Sequence, residues 1–457
     1  MTGGVEMNDL AVVVLAAGMG TRMKSNLAKV LHKIAGRSML SHVLHAAKEL
    51  GAGRGVVIHG PDMSAVQIES KSVMPCHFAE QRERLGTGHA VSMAREALTG
   101  FTGVVLVLYG DVPLIKAATL RGLLGKLDAQ HKMAVLGFDA DYPEGYGRLI
   151  VKAKAVLGIV EQLDATPAQR NIKLCNSGII AIDNNLLWKL VPLLKNKNAK
   201  GEYYLTDLVK LATKTKTKVA LALCSEVEVA GVNDRSQLSV LERAFQREAR
   251  RAAMQNGATL IDPDTVYFSA DTKLGRDVIV EPNVFFGPKV IVSDNVEILA
   301  NSHIEGTTIG EGARIGPFAR LRRGAEIGES AHIGNFVEVK KAVIGKGAKA
   351  NHLTYIGDAI IGAGSNIGAG TITCNYDGYE KHLTEVGENV FVGSNTSLVA
   401  PVKIGAGVNI AASSVITRDI PADALAISRP ELQIKEAWAS RYRAVKLAAT
   451  NLKKERH

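Results

Sequence analysis

Aromatic side chains are scarce in this sequence, 5% of 457 residues, and there are only four cysteines. Cys76, Cys175, Cys224 and Cys374 lie far apart and form neither a CxxC pair nor a zinc-ligand spacing. A disulfide framework and a zinc module are thereby excluded, and the expectation is a reducing, cytoplasmic compartment with ordinary buried thiols. The stretch Ala11–Ala17 is too short for a signal or membrane helix, ends in glycines, and has no basic segment before it, so no membrane span is expected. No arginine-rich block alternates with aromatics, which argues against nucleic acid as a partner.

Glycine, by contrast, is plentiful at 45 residues, implying many tight turns and a core of small and β-branched side chains. A hydrophobic content of 46% with 22% charged residues is that of a globular protein, and the length calls for two or three domains. The net charge of +10 favours anionic partners, among them phosphorylated sugars, nucleotides and coenzyme A.

Two textures meet near residue 256. Before it, the apolar runs Ala11–Ala17, Gly55–His59 and Val104–Tyr109 read as buried parallel strands. The amphipathic segments Ser41–Leu50 and Gly88–Leu98 read as helices between them. That alternation predicts a doubly wound, Rossmann-like α/β domain whose site lies at the carboxyl ends of the strands. From Asn233 or Asp234, either a good N-cap, a connecting helix is expected to run to about Asn256, with Leu238, Leu241, Phe245, Ala249 and Ala252 as its apolar stripe.

Beyond the helix the period becomes six. Val278, Val284, Val290 and Val296 follow it, then Ile309, Ile315, Leu321, Ile327, Ile333 and Val339, then Val392, Leu398, Ile404, Ile410 and Ile416. A helix needs 3.6 and a flat strand two; a period of six with small turn residues is that of a parallel β-helix, in which each aliphatic stacks on its equivalent one coil away. The break between Val339 and Val392 predicts a projecting loop. The basic end, Lys453-Lys454-Glu455-Arg456, reads as a solvated tail. The expected domains are therefore 1–235, a linker helix 236–256, and a β-helix with its tail, 257–457.

Chemistry can be placed on this frame. Leu15-Ala16-Ala17-Gly18-Met19-Gly20-Thr21-Arg22 follows the first strand, where glycines let backbone N–H groups approach a phosphate and Arg22 adds charge. It is neither a dinucleotide fingerprint nor a Walker A loop, and on its own it is equally a structural turn. Lys29 is a second cation close by. Tyr109-Gly110-Asp111 ends the third strand, and a carboxylate there either holds Mg²⁺ against a nucleotide or caps the next helix. In the interrupted part of the β-helix, His352 is a natural base for an amine attacking a thioester, although a lone turn histidine is usually a surface residue. His303, His332, His352 and His382 lack the HxxxxH spacing of a zinc-binding β-helical anhydrase.

The motifs LAAGMGTRM, LGTGHA, YGDVPL, GYGR, GIVE, NSGI, GEYYLTD and GVNDR, in this order, resemble the sugar-nucleotide pyrophosphorylases. GPFARLR, GNFVEVKK, HLTYIGDA, GAGTITCNYDG, FVGSN and ALAISR resemble the acetyltransferase half of the bifunctional N-acetylglucosamine-1-phosphate uridylyltransferases. Together they cover most of the chain. The resemblance implies a left-handed β-helix, a homotrimer, and two consecutive steps. Glucosamine-1-phosphate would be acetylated by acetyl-CoA, and the N-acetylglucosamine-1-phosphate formed would take a uridylyl group from UTP. It implies a nucleotide site of Leu15, Ala16, Ala17, Gly18, Arg22, Lys29, Gln81, Gly86, Thr87, Tyr109, Gly110 and Asp111. Mg²⁺ would be held by Asp111 and Asn233, and the sugar phosphate by Gly147, Glu161, Asn176 and Asn233. In the other half, His352 would be the base, oriented by Asn375. Arg322, Lys340, Tyr355 and Asn366 would hold glucosamine-1-phosphate, while Ala369, Asn375, Tyr376, Ser394, Ala412 and Arg429 would serve acetyl-CoA. Met19, Ala28 and Arg323 depart from the family pattern. The alternatives are a single-activity nucleotidyltransferase with a regulatory β-helix, and a non-catalytic scaffold.

Overall fold

The computed structural model describes residues 10–152 and 155–454; Glu455 and Arg456 of the basic tail lie outside them. Contacts divide the chain into two units. One runs to Lys273 and takes back Phe285–Val290; the other holds Leu274–Val284 and the chain from Ile291 onward.

The first unit is built on a mixed sheet. The strand Leu10–Leu15 is an unbroken run of aliphatic residues, buried on both faces up to Leu15, which suits the centre of a parallel sheet. It lies between Val104–Tyr109 and Arg54–His59, parallel to both, with Leu10 opposite Val104 and Ala11 opposite Arg54. The three strands expected from sequence are thus adjacent, and their carboxyl ends share one edge. A fourth element departs from the expectation. The long strand Leu174–Asp183 runs antiparallel between Val104–Tyr109 and Met133–Asp139. Its register shifts between Asn176 and Ile180, around Gly178 at φ 87°. A Cβ on Gly178 would lie 2.7 Å from the ring of Tyr109, so this glycine is required where the two strands meet.

Flanking helices cover both faces. Met39–Glu49 starts at Ser38, whose hydroxyl accepts from the Ser41 N–H. The segment expected as one helix to Leu98 is instead a helix Thr87–Ser92 followed by a single turn at Glu96–Leu98. The connecting helix runs Arg235–Gln255, and Asp234 caps it by accepting from the Gln237 N–H. Its stripe holds an unforeseen member: Gln246 is buried, donating to the Phe268 carbonyl at 2.7 Å and accepting from the Phe268 N–H at 2.8 Å.

The second unit is a parallel β-helix with three strand columns. Along one, Ile279 faces Glu297, Glu297 faces Arg314, and Arg314 faces His332. Each coil therefore takes 17 or 18 residues. Val280, Ile298, Ile315, Ile333, Ala350, Ile367, Val392 and Ile410 form the inward stack of that column, all buried. Each large aliphatic in it contributes about 1.5–3 kcal/mol of burial.

Between Val339 and Val392 the sequence period is lost, yet the coils continue through Glu338–Ile344, Lys349–His352, Tyr355–Ile361 and Asn366–Ile367. The buried series steps five residues from Val339 to Ile344 and from Ile356 to Ile361, and its members Ala350 and Thr373 are not large aliphatics. The projection is confined to the segment after Cys374 and before Thr384. Among the described residues, no helix is long and apolar enough to cross a membrane.

Candidate functional sites

At the carboxyl edge of the first sheet, a cavity of about 250 Å³ is lined by Leu15, Ala16, Ala17, Gly18, Lys29, Gln81, Gly86, Thr87, Tyr109 and Asp111. These are ten of the twelve nucleotide residues named from sequence. Gly110 sits behind the wall, its N–H on the Leu15 carbonyl at 2.9 Å. Arg22 is exposed on the turn Thr21–Met23 and does not line the cavity. The centre of the site is Lys29, whose Nζ lies 2.5 Å from Asp111 Oδ2 and 3.0 Å from Asn233 Oδ1. Asn233 thus joins Asp111 from a segment more than a hundred residues away, and Val232 N–H on the Asp111 carbonyl, at 3.0 Å, ties the two backbones together. Gln81 is buried and donates to the Gly86 carbonyl at 3.2 Å. Burial, then the Glu161 carboxylate, raises the Tyr109 hydroxyl far above its usual range, against an opposing hydrogen bond from Thr87.

Gly20 explains how the glycine turn reaches Lys29. It has φ 64°, and a Cβ there would lie 2.5 Å from Lys29 Cβ. Gly20→Ala therefore combines backbone strain with displacement of the central cation. The expected result is binding of a phosphate-bearing ligand in this cavity weakened about tenfold, from a strain of about 1–3 kcal/mol; unchanged binding contradicts it.

A second cleft, about 460 Å³, is lined by Glu161, Thr206, Asp207, Lys210 and their neighbours. Glu161 accepts from the Thr206 hydroxyl at 2.9 Å. Burial pushes its carboxyl up, opposed by that hydrogen bond and by Lys200. Gly147 abuts it: a Cβ there would lie 3.3 Å from both carboxylate oxygens. Asn176 donates its backbone N–H to the Gly147 carbonyl at 2.8 Å. Its buried side-chain Oδ1 has no protein partner, an acceptor available to a ligand N–H or O–H.

In the β-helix, His352 ends the strand Lys349–His352 and borders a cleft of about 290 Å³ with Arg314, Gly316, Pro317, His332 and Asn335. The turn after it is one of a column of left-handed corners: Phe318, Phe336, Leu353, Gly370, Asn395 and Ser413 all have positive φ. Ala369, Ser394 and Ala412 precede the last three. They are stacked through Asn395 N–H to the Ala369 carbonyl at 2.7 Å and Ser413 N–H to the Ser394 carbonyl at 2.8 Å. Arg429 ends the column by donating to the Ala412 carbonyl at 2.9 Å. The acetyl-CoA residues named from sequence thus include a continuous ridge leading away from His352.

On the far side of the corner, Tyr355 faces Glu338, and Arg322 donates to Glu338 at 2.7 Å. Lys340 lies beside Lys381, and this neighbour, more than partial burial, lowers its ammonium, with Asp358 opposing. Asn366 stands apart from Tyr355, in the strand column of Lys349 and Phe391. Asn375 also differs from expectation. Its amide donates to Asp358 at 2.5 Å, and the partner of His352 Nδ1 is Asn335 Oδ1 at 2.7 Å. Tyr376 is exposed, its hydroxyl on the Gly378 carbonyl at 2.6 Å and its ring 6.0 Å from the Lys381 ammonium.

The first unit matches the family model of the MobA-like NTP transferase domain over residues 12–176, and the second matches bacterial transferase hexapeptide repeats over 306–341 and 384–418. The bifunctional protein GlmU of Paramagnetospirillum magneticum is 55% identical over 450 residues, 98% of this chain and 99% of that one. The chain belongs to the GlmU family. The GlmU of Azorhizobium caulinodans is 53% identical over 440 residues, covering 96% and 98%. That of Agrobacterium fabrum is 48% identical over 452, covering 99% and 100%.

Within this GlmU-family chain, three neighbours of the sites escaped the sequence reading. Arg84 lines the cavity at the carboxyl edge of the first sheet and donates to the Ala17 carbonyl at 2.9 Å. It stands in a charged run, Arg82-Glu83-Arg84, that looks like ordinary surface. Lys381 enters the Lys340 cluster from the projecting loop, and Asn335 reaches His352 from the coil before. The last could have been found by aligning Ile333 with Ala350, which sets Asn335 opposite His352.

Proposed function

We infer that this protein makes UDP-N-acetylglucosamine in two steps. It transfers acetyl from acetyl-CoA to glucosamine-1-phosphate, then uridylyl from UTP to the N-acetylglucosamine-1-phosphate formed, releasing pyrophosphate. The observation that carries this reading is 55% identity to a bifunctional GlmU across both halves of the chain. We assign uridylyl transfer to residues 1–235, the connection to 236–256, and acetyl transfer to 257–457.

In the uridylyltransferase half, the sugar phosphate attacks the α-phosphate of UTP and no protein nucleophile is required; the protein positions reactants and offsets charge. Gln81, Gly86 and Thr87 take the base, Lys29 the phosphates, and Gly147, Glu161 and Asn176 the sugar. Asp111 and Asn233 fit Mg²⁺: their oxygens already converge on one cation, the Lys29 ammonium, and this carboxylate and amide oxygen are the hard donors that would hold it. When bound there, Mg²⁺ neutralises charge that develops on the phosphates.

In the acetyltransferase half, the amine of glucosamine-1-phosphate attacks the thioester carbonyl. The N–C bond forms, the amine proton passes to His352 Nε2, and the C–S bond breaks to release coenzyme A, whose sulfur takes up the proton. Arg322, Lys340 and Tyr355 hold the sugar phosphate, while the ridge Ala369–Ser394–Ala412–Arg429 carries coenzyme A. Asn366, in the other strand column, completes this site in our assignment across a homotrimer, in a cytoplasmic enzyme. Support for a partner subunit comes from Phe318 and Phe336, stacked at 5.2 Å and about half exposed on the corner of His352. Phe336→Glu should lower acetyl transfer roughly tenfold or more and convert trimer to monomer by light scattering, with uridylyl transfer within about twofold. Equal loss of both contradicts the trimeric site.

The two half-reactions test the reading separately. Pyrophosphate release should require UTP with N-acetylglucosamine-1-phosphate, and thiol release should require acetyl-CoA with glucosamine-1-phosphate. Pyrophosphate release without any thiol release contradicts bifunctionality.

A further inference from the structure

The hydrogen bond on His352 decides which of its nitrogens can act as a base. Nδ1 lies 2.7 Å from Asn335 Oδ1, a carbonyl oxygen that accepts and does not donate. With Oδ1 as the acceptor, the tautomer that completes this bond carries its proton on Nδ1 and its lone pair on Nε2, the atom then free to take a proton from an amine. Asn335 is in turn fixed by the fold. It pairs with His352 as the rung between two successive coils, and its carbonyl accepts the Leu353 N–H at 3.0 Å. The rung is possible because residue 334 is glycine: a Cβ there would collide with the Asn351 carbonyl. From behind, the buried Thr354 hydroxyl donates to the His352 carbonyl at 2.7 Å. The backbones of His352 and Asn335 are thus held by the fold, and the imidazole by its bond to Asn335.

We propose that Asn335 is the positioning residue of the acetyl-transfer step, selecting the Nδ1–H form of His352 and aiming Nε2 at the substrate amine. This rests on the reading of His352 as the base. Asn375 does not fill the role in this chain, since its amide is committed to Asp358. The other charged or titratable groups lining the His352 cleft are Arg314, paired with Glu297 at 3.2 Å, and His332. Neither is altered in the variants below.

The test uses the full-length protein and follows coenzyme A release over a range of pH, with uridylyl transfer as the control for folding. Asn335→Leu removes the acceptor and should lower kcat about 10–100-fold, with KM for both substrates within about twofold. Asn335→Asp restores an acceptor and adds a negative charge beside the imidazole. It should recover kcat to within about tenfold of wild type and move the acid limb of the kcat/KM profile up by about one pH unit. A merely structural asparagine would give two variants with equal loss and an unmoved limb. Either that result or a wild-type kcat for Asn335→Leu overturns the proposal. Should His352→Ala itself retain acetyl transfer, it is the reading of His352 as base that fails.

Discussion

Replacing Asp111 with alanine is expected to lower uridylyl transfer about 10³-fold or more and to leave coenzyme A release from the acetyltransferase half unchanged. The size follows from position. Asp111 lies just past the strand Val104–Tyr109, and its carboxylate and the Asn233 oxygen converge on the Lys29 ammonium. Removing the carboxylate takes away one of the two oxygens proposed to hold Mg²⁺, and the negative one of that pair, at the point where charge moves during phosphoryl transfer. It also leaves Lys29 with Asn233 alone. Folding should survive, because the Asp111 backbone bond with Val232 does not involve the side chain. Asp111→Asn keeps the oxygen but not the charge and should fall between alanine and wild type. Initial rates of pyrophosphate and thiol release on the same preparation check this. Joint loss of both activities would contradict two independent sites.

His352→Ala gives the converse: acetyl transfer falls about 10²–10⁴-fold, the range of a general base, while uridylyl transfer stays at the wild-type rate. His352 is exposed, and its imidazole has one side-chain partner, so truncation leaves no buried group unsatisfied. The loss should appear in kcat and not in KM for acetyl-CoA, because the ridge proposed to carry it begins one coil further on. A KM effect at constant kcat would reassign His352 to binding.

How much of this was legible beforehand varies by element. The β-helix was visible wherever Ile, Val or Leu fills the inward stack. It disappeared between Val339 and Val392, where two five-residue steps shift the phase and Ala350 and Thr373 replace the large aliphatics. A period read from large side chains alone therefore mistakes a continuing coil for a loop. Three parallel strands were legible because their interiors are apolar, whereas the parallel edge strand His77–Glu80, with polar residues at both ends, was not. The antiparallel Leu174–Asp183 was not, since Asn176-Ser177-Gly178 interrupts its apolar pattern where it bulges around Tyr109. The nucleotide residues came largely from motif resemblance, and ten of them line one cavity. The bonds that organise the sites stayed hidden. Lys29 with Asn233 and Asn335 with His352 are contacts between segments far apart in sequence or one coil apart, where local pattern carries no signal. Gln246 was missed for a related reason: polar residues on an apolar stripe read as solvent-facing until a backbone partner such as Phe268 is known.

The most direct test of the account starts from glucosamine-1-phosphate, acetyl-CoA, UTP and Mg²⁺ with purified protein, and identifies the sugar nucleotide while each component is omitted in turn. UDP-N-acetylglucosamine and free coenzyme A are expected from the full mixture. Without acetyl-CoA neither should form, and without UTP N-acetylglucosamine-1-phosphate should accumulate. Formation of the sugar nucleotide only from added N-acetylglucosamine-1-phosphate, with acetyl-CoA untouched, would contradict it.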